Sequence, residues 1–178
     1  MRAHSNPALR VLPLVMATAC LALALPAASA AEAGFRQMTV PNPTADGKPA
    51  HFALYYPTAE TARTIPMGPF PQTVAINGAP APAVKGLIVI SHGTLSTQMG
   101  FATLAQTLAR HGYLVASVEH VGDTWQDPSM RATPARYFAE RPRQVSRVID
   151  TVLADPLWSS RLAQGADGRP LIWAIGHS

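Results

Sequence analysis

The last three residues of the chain, Gly176, His177 and Ser178, directly follow an apolar run over residues 171–175. A serine on a tight turn after a strand is the nucleophile elbow of acyl-transfer chemistry, and small residues flank it because the turn crowds the backbone. The Gly-x-Ser pattern alone recurs by chance roughly once in a chain of this length, so its position after the run carries the prediction. The pattern predicts Ser178 as a nucleophile; the alternative is an ordinary turn after a strand.

A second polar turn, Ser91–Thr94 with the sequence S-H-G-T, follows another apolar run at residues 86–90. In a sheet that carries a nucleophile elbow, the loop after the first parallel strand supplies one backbone N–H of the oxyanion hole, and the residue after the nucleophile supplies the other. We expect the amide of Thr94 to be the first donor, with Leu95 as the second choice. The alternative is a plain turn whose glycine serves the backbone.

No histidine stands where the general base of such a site belongs. The chain order of this catalytic set is serine, then Asp or Glu, then histidine, whereas all six histidines precede or adjoin Ser178. We therefore interpret His92 and His177 as structural residues or as residues that line a pocket.

The polar segment 119–133 contains His120, Asp123 and Asp127, which are residue types that can bind a metal ion. Their spacing is loose and no other cluster of ligands is near. We predict a loop over the mouth of the site instead, and neither a metal nor an organic cofactor. Trp125 in this loop is either a wall for the substrate or an anchor for the loop.

The elements that must position these residues follow from hydrophobic patterning. Unbroken apolar runs are typical of strands buried on both faces of a parallel sheet, and apolar residues at i, i+3, i+4 and i+7 indicate helices. Pro142 suits the first position of a helix. The alternation of strands and helices predicts an α/β fold with helices on both faces of the sheet. We predict an antiparallel strand pair at 35–40 and 51–56, a long loop over 58–83 with a short strand at 73–76, strands at 86–90, 113–118 and 171–175, and helices at 97–111 and 142–154.

Residues 1–30 have the pattern of a secretory signal. Arg2 and Arg10 precede or flank the start of an apolar run at 11–25, and a small-x-small motif ends before Ala31. The run is short for a membrane span; the alternative is an N-terminal membrane anchor. Cys20 is the only cysteine, so the mature chain has no disulfide and no cysteine nucleophile. We expect a periplasmic or secreted protein without a stable membrane span after cleavage.

The charge of the chain gives no case for a nucleic-acid partner. The full chain has a net charge of +4 and a pI near 9.7. Loss of the two arginines of the signal leaves twelve basic against ten acidic residues, a net charge of +2. The arginines of the segment before and within the second predicted helix are expected on a solvated face; they are residues 131, 136, 141, 143 and 147.

Over residues 34–178, these motifs together resemble a bacterial α/β-hydrolase family labelled predicted dienelactone hydrolase, which is similar to the platelet-activating-factor acetylhydrolases. The motifs that carry the resemblance are Phe35-Arg36, Leu54–Thr58, Ser91–Thr94, Glu119-His120, Asp127–Ser129, Arg141–Arg143 and Gly176–Ser178. The resemblance implies an α/β-hydrolase fold and ester hydrolysis, with Ser178 as nucleophile and the Thr94 amide in the oxyanion hole. The family's Asp and His lie beyond the nucleophile. The dienelactone label fits poorly, because the enzymes of that name use a cysteine.

We accordingly expect residues 31–178 to be the N-terminal portion of an α/β-hydrolase domain that stops at the nucleophile elbow. Such a portion should be inactive alone and poorly soluble, because its last strand becomes an exposed apolar edge. The substrate would be a small ester or a lipid-like ester. The competing prediction is a secreted, non-catalytic or vestigial binding module. A nucleotide-binding domain is disfavoured, because the sequence has neither G-x-G-x-x-G nor a P-loop.

Overall fold

A computed structural model describes residues 31–41 and 48–177. The first two strands, β1 (Glu32–Thr39) and β2 (His51–Thr58), pair antiparallel along their whole length. Strand β2 is buried along nearly all of its length, which places it inside the sheet rather than at an edge. The predicted antiparallel pair is therefore present, and each strand is slightly longer than expected.

The segment predicted as a long loop contains two further strands. Strand β3 (Arg63–Ile65) pairs antiparallel with β4 (Gln72–Ile76), and β4 pairs in parallel with β1. The short strand expected at 73–76 is thus confirmed as β4. The expectation of a loop at 63–65 was wrong, because three residues are too few to show a strand period in the sequence.

Three parallel strands form the other half of the sheet: β5 (Leu87–Ser91), β6 (Leu114–Val118) and β7 (Ile172–Gly176). Strand β5 lies between the other two, and β6 pairs antiparallel with β2. The sheet has seven strands in the order β3-β4-β1-β2-β6-β5-β7. All three apolar runs form strands, as predicted.

The first helix, α1 (Ala102–Arg110), is shorter than the predicted span 97–111. Residues before it form turns: the hydroxyl of Thr97 accepts a hydrogen bond from the amide of Met99 at 3.0 Å. A threonine that bonds its neighbouring backbone in this way offers the chain an alternative to the helix. Gly112 has a φ of 94°, which is the left-handed end predicted for this position.

The second helix, α2 (Pro134–Ala154), begins eight residues earlier than predicted, after a 3-10 turn at Ser129–Ala132. Pro134 occupies the first helical position, and Pro142 lies inside the helix. Residues between the two prolines are largely good helix formers, so the helix continues although Pro142 donates no backbone hydrogen bond. A short helix, α3 (Pro156–Ser159), follows α2 directly.

The two longer helices cover opposite faces of the sheet. Ala105 and Ala109 of α1 belong to one buried cluster, which includes Tyr55. Val148 and Val152 of α2 belong to the other cluster, together with strand residues and Trp158 of α3. The chain is thus built as three layers, with helices on both faces as predicted. Among the helices formed by the described residues, none is long and apolar enough to cross a membrane.

Candidate active site

The ends of β5 and β7 bring the two sequence motifs together. Ser91 lies opposite Gly176 in the register of these parallel strands, and the amide of His177 donates to the carbonyl of Ser91 at 3.1 Å. Carboxyl ends of neighbouring parallel strands are the usual place for binding sites in α/β sheets. The predicted nucleophile, Ser178, lies outside the described residues, and the residue before it is held beside the S-H-G-T turn.

A cleft of about 560 Å³ opens at this edge of the sheet. Its walls come from the ends of β5 and β7, from Thr94 and from the N-terminal half of α2. A hollow of about 320 Å³ adjoins it and shares Thr94, Tyr137 and Phe138 with the cleft. The cleft is lined by Ser91, Thr94, Tyr137, Phe138, Arg141, Pro142, Val145, Ser146 and His177.

Thr94 is exposed at the cleft, and its hydroxyl lies 3.0 Å from the hydroxyl of Tyr137. Within the described part of the chain, no oxygen accepts a hydrogen bond from the Thr94 amide. The amide of Leu95, by contrast, donates to Oδ1 of Asp123 at 3.3 Å. Of the two amides considered from the sequence, that of Thr94 is therefore the one available to a ligand. Its catalytic role stays a prediction.

A buried ion pair holds the turn that contains Thr94. Asp123 is fully buried, and its Oδ2 accepts a hydrogen bond from the guanidinium of Arg141. Arg141 also donates to the carbonyl oxygen of His92 and lies 3.4 Å from Oγ of Ser91. Its guanidinium carbon is 5.3 Å from the ring centroid of Tyr137, which is a favourable cation–π distance.

A hydrogen-bonded chain runs from Ser91 into the protein. Oγ of Ser91 lies 2.8 Å from Nε2 of His120, and Nδ1 of His120 lies 2.9 Å from Oε1 of Gln144. Because an amide oxygen only accepts, Nδ1 carries the proton of His120 and Ser91 donates to Nε2. The geometry is that of a nucleophile, a base and an orienting group.

The electrostatic environment of His120 argues against a catalytic role for this series of hydrogen bonds. Burial, together with smaller effects of the neighbouring Arg141 and His92, lowers the pKa of His120 to about 3. A general base works best when its pKa lies near the operating pH, and His120 is far too weak a base for that. The Ser91–His120 bond therefore serves the structure of the turn.

His92 and His177 lie where the sequence analysis predicted. His92 is fully buried: its Nδ1 donates to the carbonyl of Gly93 at 2.7 Å, and its Nε2 accepts from the amide of His120 at 3.2 Å. Burial lowers the pKa of His92, so its ring is neutral and structural. His177 lines the cleft, with its ring 5.5 Å from that of Phe101.

The segment expected to cover the mouth of the site packs differently. Asp123 is taken up by Arg141, and Asp127 forms an ion pair with Lys48 at 2.6 Å, which lowers the pKa of Asp127 to about 2. Across the described ranges, no group of three or more acidic, histidine or cysteine side chains could hold a metal ion. Trp125 is largely exposed and is not among the residues that line the cleft, so the first of its two predicted roles, a wall for the substrate, is not supported, and α2 supplies the wall instead.

Sequence reasoning missed Tyr137, Phe138 and Arg141, because it began the second helix at residue 142. It also assigned Arg141 to a solvated face, which was wrong: the Arg141 side chain is only 14% exposed. A signal existed in the spacing, since Arg141 lies four residues before Val145 and seven before Val148, on the same stripe of the helix. Extending the apolar stripe backwards would have turned Arg141 inward.

The architecture is an α/β fold with a mixed seven-stranded sheet and helices on both of its faces. The chain is similar to the solved structure of a ferulic acid esterase from Streptomyces cinnamoneus at 2.4 Å resolution, with a TM-score of 0.59 and 20% sequence identity. The similarity covers 87% of this chain and 54% of the esterase chain, so the chain spans about half the length of that protein. No family model and no curated protein matches the chain. The predicted α/β-hydrolase fold is confirmed at the level of architecture.

Proposed function

We propose that this chain carries the nucleophile and half of the oxyanion hole of a carboxylic ester hydrolase. The observation that carries the proposal is the adjacency of β5 and β7, which sets Ser91 opposite Gly176 at the rim of the cleft. The esterase fold supports the same reaction class, and so does the resemblance of the motifs to the predicted dienelactone hydrolases and platelet-activating-factor acetylhydrolases.

In the proposed mechanism, Oγ of Ser178 attacks the carbonyl carbon of an ester. The negative oxygen that forms is stabilised by the amides of Thr94 and of the residue after Ser178. A histidine beyond Ser178 in the chain order, oriented by a carboxylate, takes the serine proton and gives it to the departing alcohol. Water then hydrolyses the acyl-enzyme and restores the serine.

The walls of the cleft favour an ester with a small apolar or aromatic part. Tyr137, Phe138, Pro142 and Val145 present mostly carbon to the cleft, and its volume of about 560 Å³ suits a small-molecule ligand. The similar solved protein is an esterase of ferulic acid, whose acyl group contains an aromatic ring. We therefore propose aromatic acyl esters as the first substrates to test, with lipid-like esters second.

The proposal includes the placement of the protein outside the cytoplasm. Residues 1–30 would act as a secretory signal cleaved before Ala31, which gives a periplasmic or secreted enzyme. Sequencing the N-terminus of the protein purified from the cell envelope or medium tests this step. A protein that begins at Met1, or at any residue before Ala31, contradicts it.

The test of the proposed reaction starts from the coding DNA past codon 178. The complete encoded product is assayed with methyl ferulate and a short-chain nitrophenyl ester, beside its Ser178→Ala and Ser91→Ala variants. We expect Ser178→Ala to lower kcat/KM at least about 10³-fold. Ser91→Ala tests the cleft hydroxyl that bonds to His120 and should cost less than about tenfold. Residues 31–178 alone should not hydrolyse either ester, because they lack a base for Ser178.

Three results would contradict the proposal. Full activity of Ser178→Ala would show that Ser178 is not the nucleophile. Loss of activity only in Ser91→Ala would assign that role to Ser91, with His120 as its base. A stop codon directly after codon 178, with a stable protein that binds a ligand without turnover, would favour the non-catalytic binding module.

A further inference from the structure

We infer that Asp123 and Arg141 are positioning residues that fix the oxyanion turn from both of its ends, an inference that rests on the proposed function. The turn consists of residues His92–Leu95. Arg141 binds its first carbonyl and Asp123 binds its last amide, while the two side chains bind each other. Neither side chain belongs to the expected nucleophile, base or oxyanion donors.

Arg141 extends from α2 to the turn, where its guanidinium donates several hydrogen bonds. One terminal nitrogen donates to Oδ2 of Asp123, and the other donates to the carbonyl oxygen of His92 and lies 3.4 Å from Oγ of Ser91. A planar guanidinium can hold two acceptors in a fixed geometry, which the single ammonium of a lysine cannot. Arg141 thereby ties the end of β5 to a helix that is anchored in the core.

Asp123 holds the other end of the turn. Its Oδ1 accepts a hydrogen bond from the amide of Leu95 at 3.3 Å. Leu95 has a φ of 59°, in the left-handed region that a leucine seldom adopts. Backbone conformations of this kind persist only where the surroundings enforce them, and they cluster at functional sites. The bond from Asp123 is the contact of the described residues that holds the Leu95 amide in this conformation.

The contacts of the turn leave the Thr94 amide in a distinct position. The carbonyl of His92 is bound by Arg141, and the carbonyl of Gly93 accepts from the amide of Ser96 at 3.2 Å and from the ring of His92 at 2.7 Å. The amide of Leu95 is bound by Asp123. Among the described residues, the Thr94 amide has no acceptor, so the pair holds in place a turn with one N–H left for a developing oxyanion.

Stability alone explains this pair poorly. Burying two charges costs desolvation energy that their attraction only partly returns, and apolar residues of similar size are often as stable or more so. The placement of both charges around a strained turn at the rim of the cleft accounts for them better. Because an oxyanion donor acts through its exact distance to the reacting oxygen, a shift of the turn by about 1 Å can cost on the order of 10²-fold in rate.

The test uses the complete encoded protein with Arg141→Lys and Asp123→Asn. Each variant should lower kcat by about 10- to 100-fold while KM changes less than about threefold, because the turn acts on the transition state rather than on substrate binding. Arg143→Lys is the matched control: it lies two residues further along α2, is mostly exposed and pairs with Glu140. This control should retain the kinetic constants of the wild type.

A double variant, Asp123→Asn with Arg141→Met, separates positioning from folding. It contains no unpaired buried charge and so should fold even if a single variant does not, as circular dichroism would check. We expect its kcat to stay about 10- to 100-fold low, because the carbonyl of His92 has lost its donor. A folded double variant, or a folded Arg141→Lys variant, with kcat within twofold of wild type overturns the inference.

The same assays distinguish failure of the inference from failure of the proposed function. An inactive wild-type product, or a fully active Ser178→Ala variant, overturns the proposed function, and the inference falls with it. Loss of activity in Ser178→Ala with unchanged kcat in both positioning variants overturns the inference alone.

Discussion

Two neighbouring strand ends of this molecule are built in different ways. Strand β5 lies between β6 and β7, its residues are buried, and the turn after it is bound by Asp123 and Arg141. Strand β7 has one neighbour in the described sheet, and most of its residues are exposed. The motif after β5 is thus fixed by contacts within the described residues, whereas β7 itself is paired on one side only among those residues.

This difference separates two kinds of site construction. An oxyanion donor must be in place before the reaction begins, because reorganising a dipole during the reaction would cost the energy that it is meant to supply. The turn after β5, which we propose as the oxyanion turn, is held before any reaction by the buried Asp123–Arg141 pair and by the neutral rings of His92 and His120. An apolar strand with an unpaired edge pairs readily with further chain, so we expect the stability of β7 to depend on what lies against it.

The largest effect that tests this comparison comes from one pair of isoleucines. Ile90 of β5 and Ile175 of β7 are direct neighbours in the register, yet they are 1% and 37% exposed. Ile90→Ala should lower the free energy of unfolding by about 2–5 kcal/mol, because it opens a cavity in a packed core. Ile175→Ala should cost about 1 kcal/mol or less, since less apolar surface is buried there.

Urea unfolding of residues 31–178, at a protein concentration low enough to avoid aggregation through the edge of β7, measures both values. The same pair is then measured in the complete encoded product. Equal losses for the two variants in residues 31–178 would contradict the contrast between the strands. A loss for Ile175→Ala that rises towards that of Ile90→Ala in the complete product would mean that further chain covers β7.

The contrast between β5 and β7 also leads to the question of which parts of the fold could be predicted from the sequence. The strands of the parallel half were readable because unbroken apolar runs such as residues 87–90 have one common structural explanation. The start of α2 was hard to predict, because Pro134 and Pro142 both suit a first helical position and only the backward extension of the helical stripe to Arg141 favours Pro134. This single choice hid Tyr137 and Arg141, which reach the site only if the helix begins at Pro134.

The motifs themselves were predictable, while the side chains that hold them were not. The S-H-G-T turn is contiguous, so its position after a strand was visible. Its supports, Asp123 and Arg141, lie 28 and 49 residues from the turn atoms that they bind. Such pairs are defined by tertiary packing: helical spacing can indicate that Arg141 turns inward, but it does not indicate which partners Asp123 and Arg141 bind.

A middle-sized effect concerns pH and the histidine behind the turn. In the folded protein the pKa of His120 is lowered to about 3, mainly by burial, whereas in the unfolded chain it should be near 6.5. Below pH 6.5 the unfolded state therefore binds a proton that the folded state does not. His120 therefore does not reduce the free energy of unfolding above about pH 6.5. As the pH drops from there towards 3, His120 lowers this free energy by about 1.4 kcal/mol per pH unit at full slope.

Comparison with His120→Gln isolates this contribution, because glutamine can still accept the hydrogen bond from Ser91 but does not titrate. We expect the two unfolding free energies to run parallel above about pH 7 and the variant to lose less stability between pH 6 and 4. Urea unfolding across this range provides both curves. Identical slopes in the two proteins between pH 6 and 4 would show that His120 is not held neutral behind the turn.

The smallest effect is expected at the wall of the cleft that α2 provides. Phe138 is 73% exposed and lines both the cleft and the adjoining hollow beside Thr94. Its ring packs edge-to-face on that of Tyr137, with ring centroids 5.2 Å apart. Phe138→Ala should change the free energy of unfolding by no more than about 0.5 kcal/mol, because so exposed a side chain contributes little to the core. In the complete product it should raise KM for methyl ferulate about fivefold, through loss of an aromatic contact worth about 1 kcal/mol, and leave KM for a nitrophenyl acetate within about twofold.

Phe101→Ala is the matched control, since Phe101 contacts His177 from the side of α1 and does not line the cleft. A uniform rise in KM for both esters, or the same selective rise in Phe101→Ala, would mean that α2 does not select the acyl group.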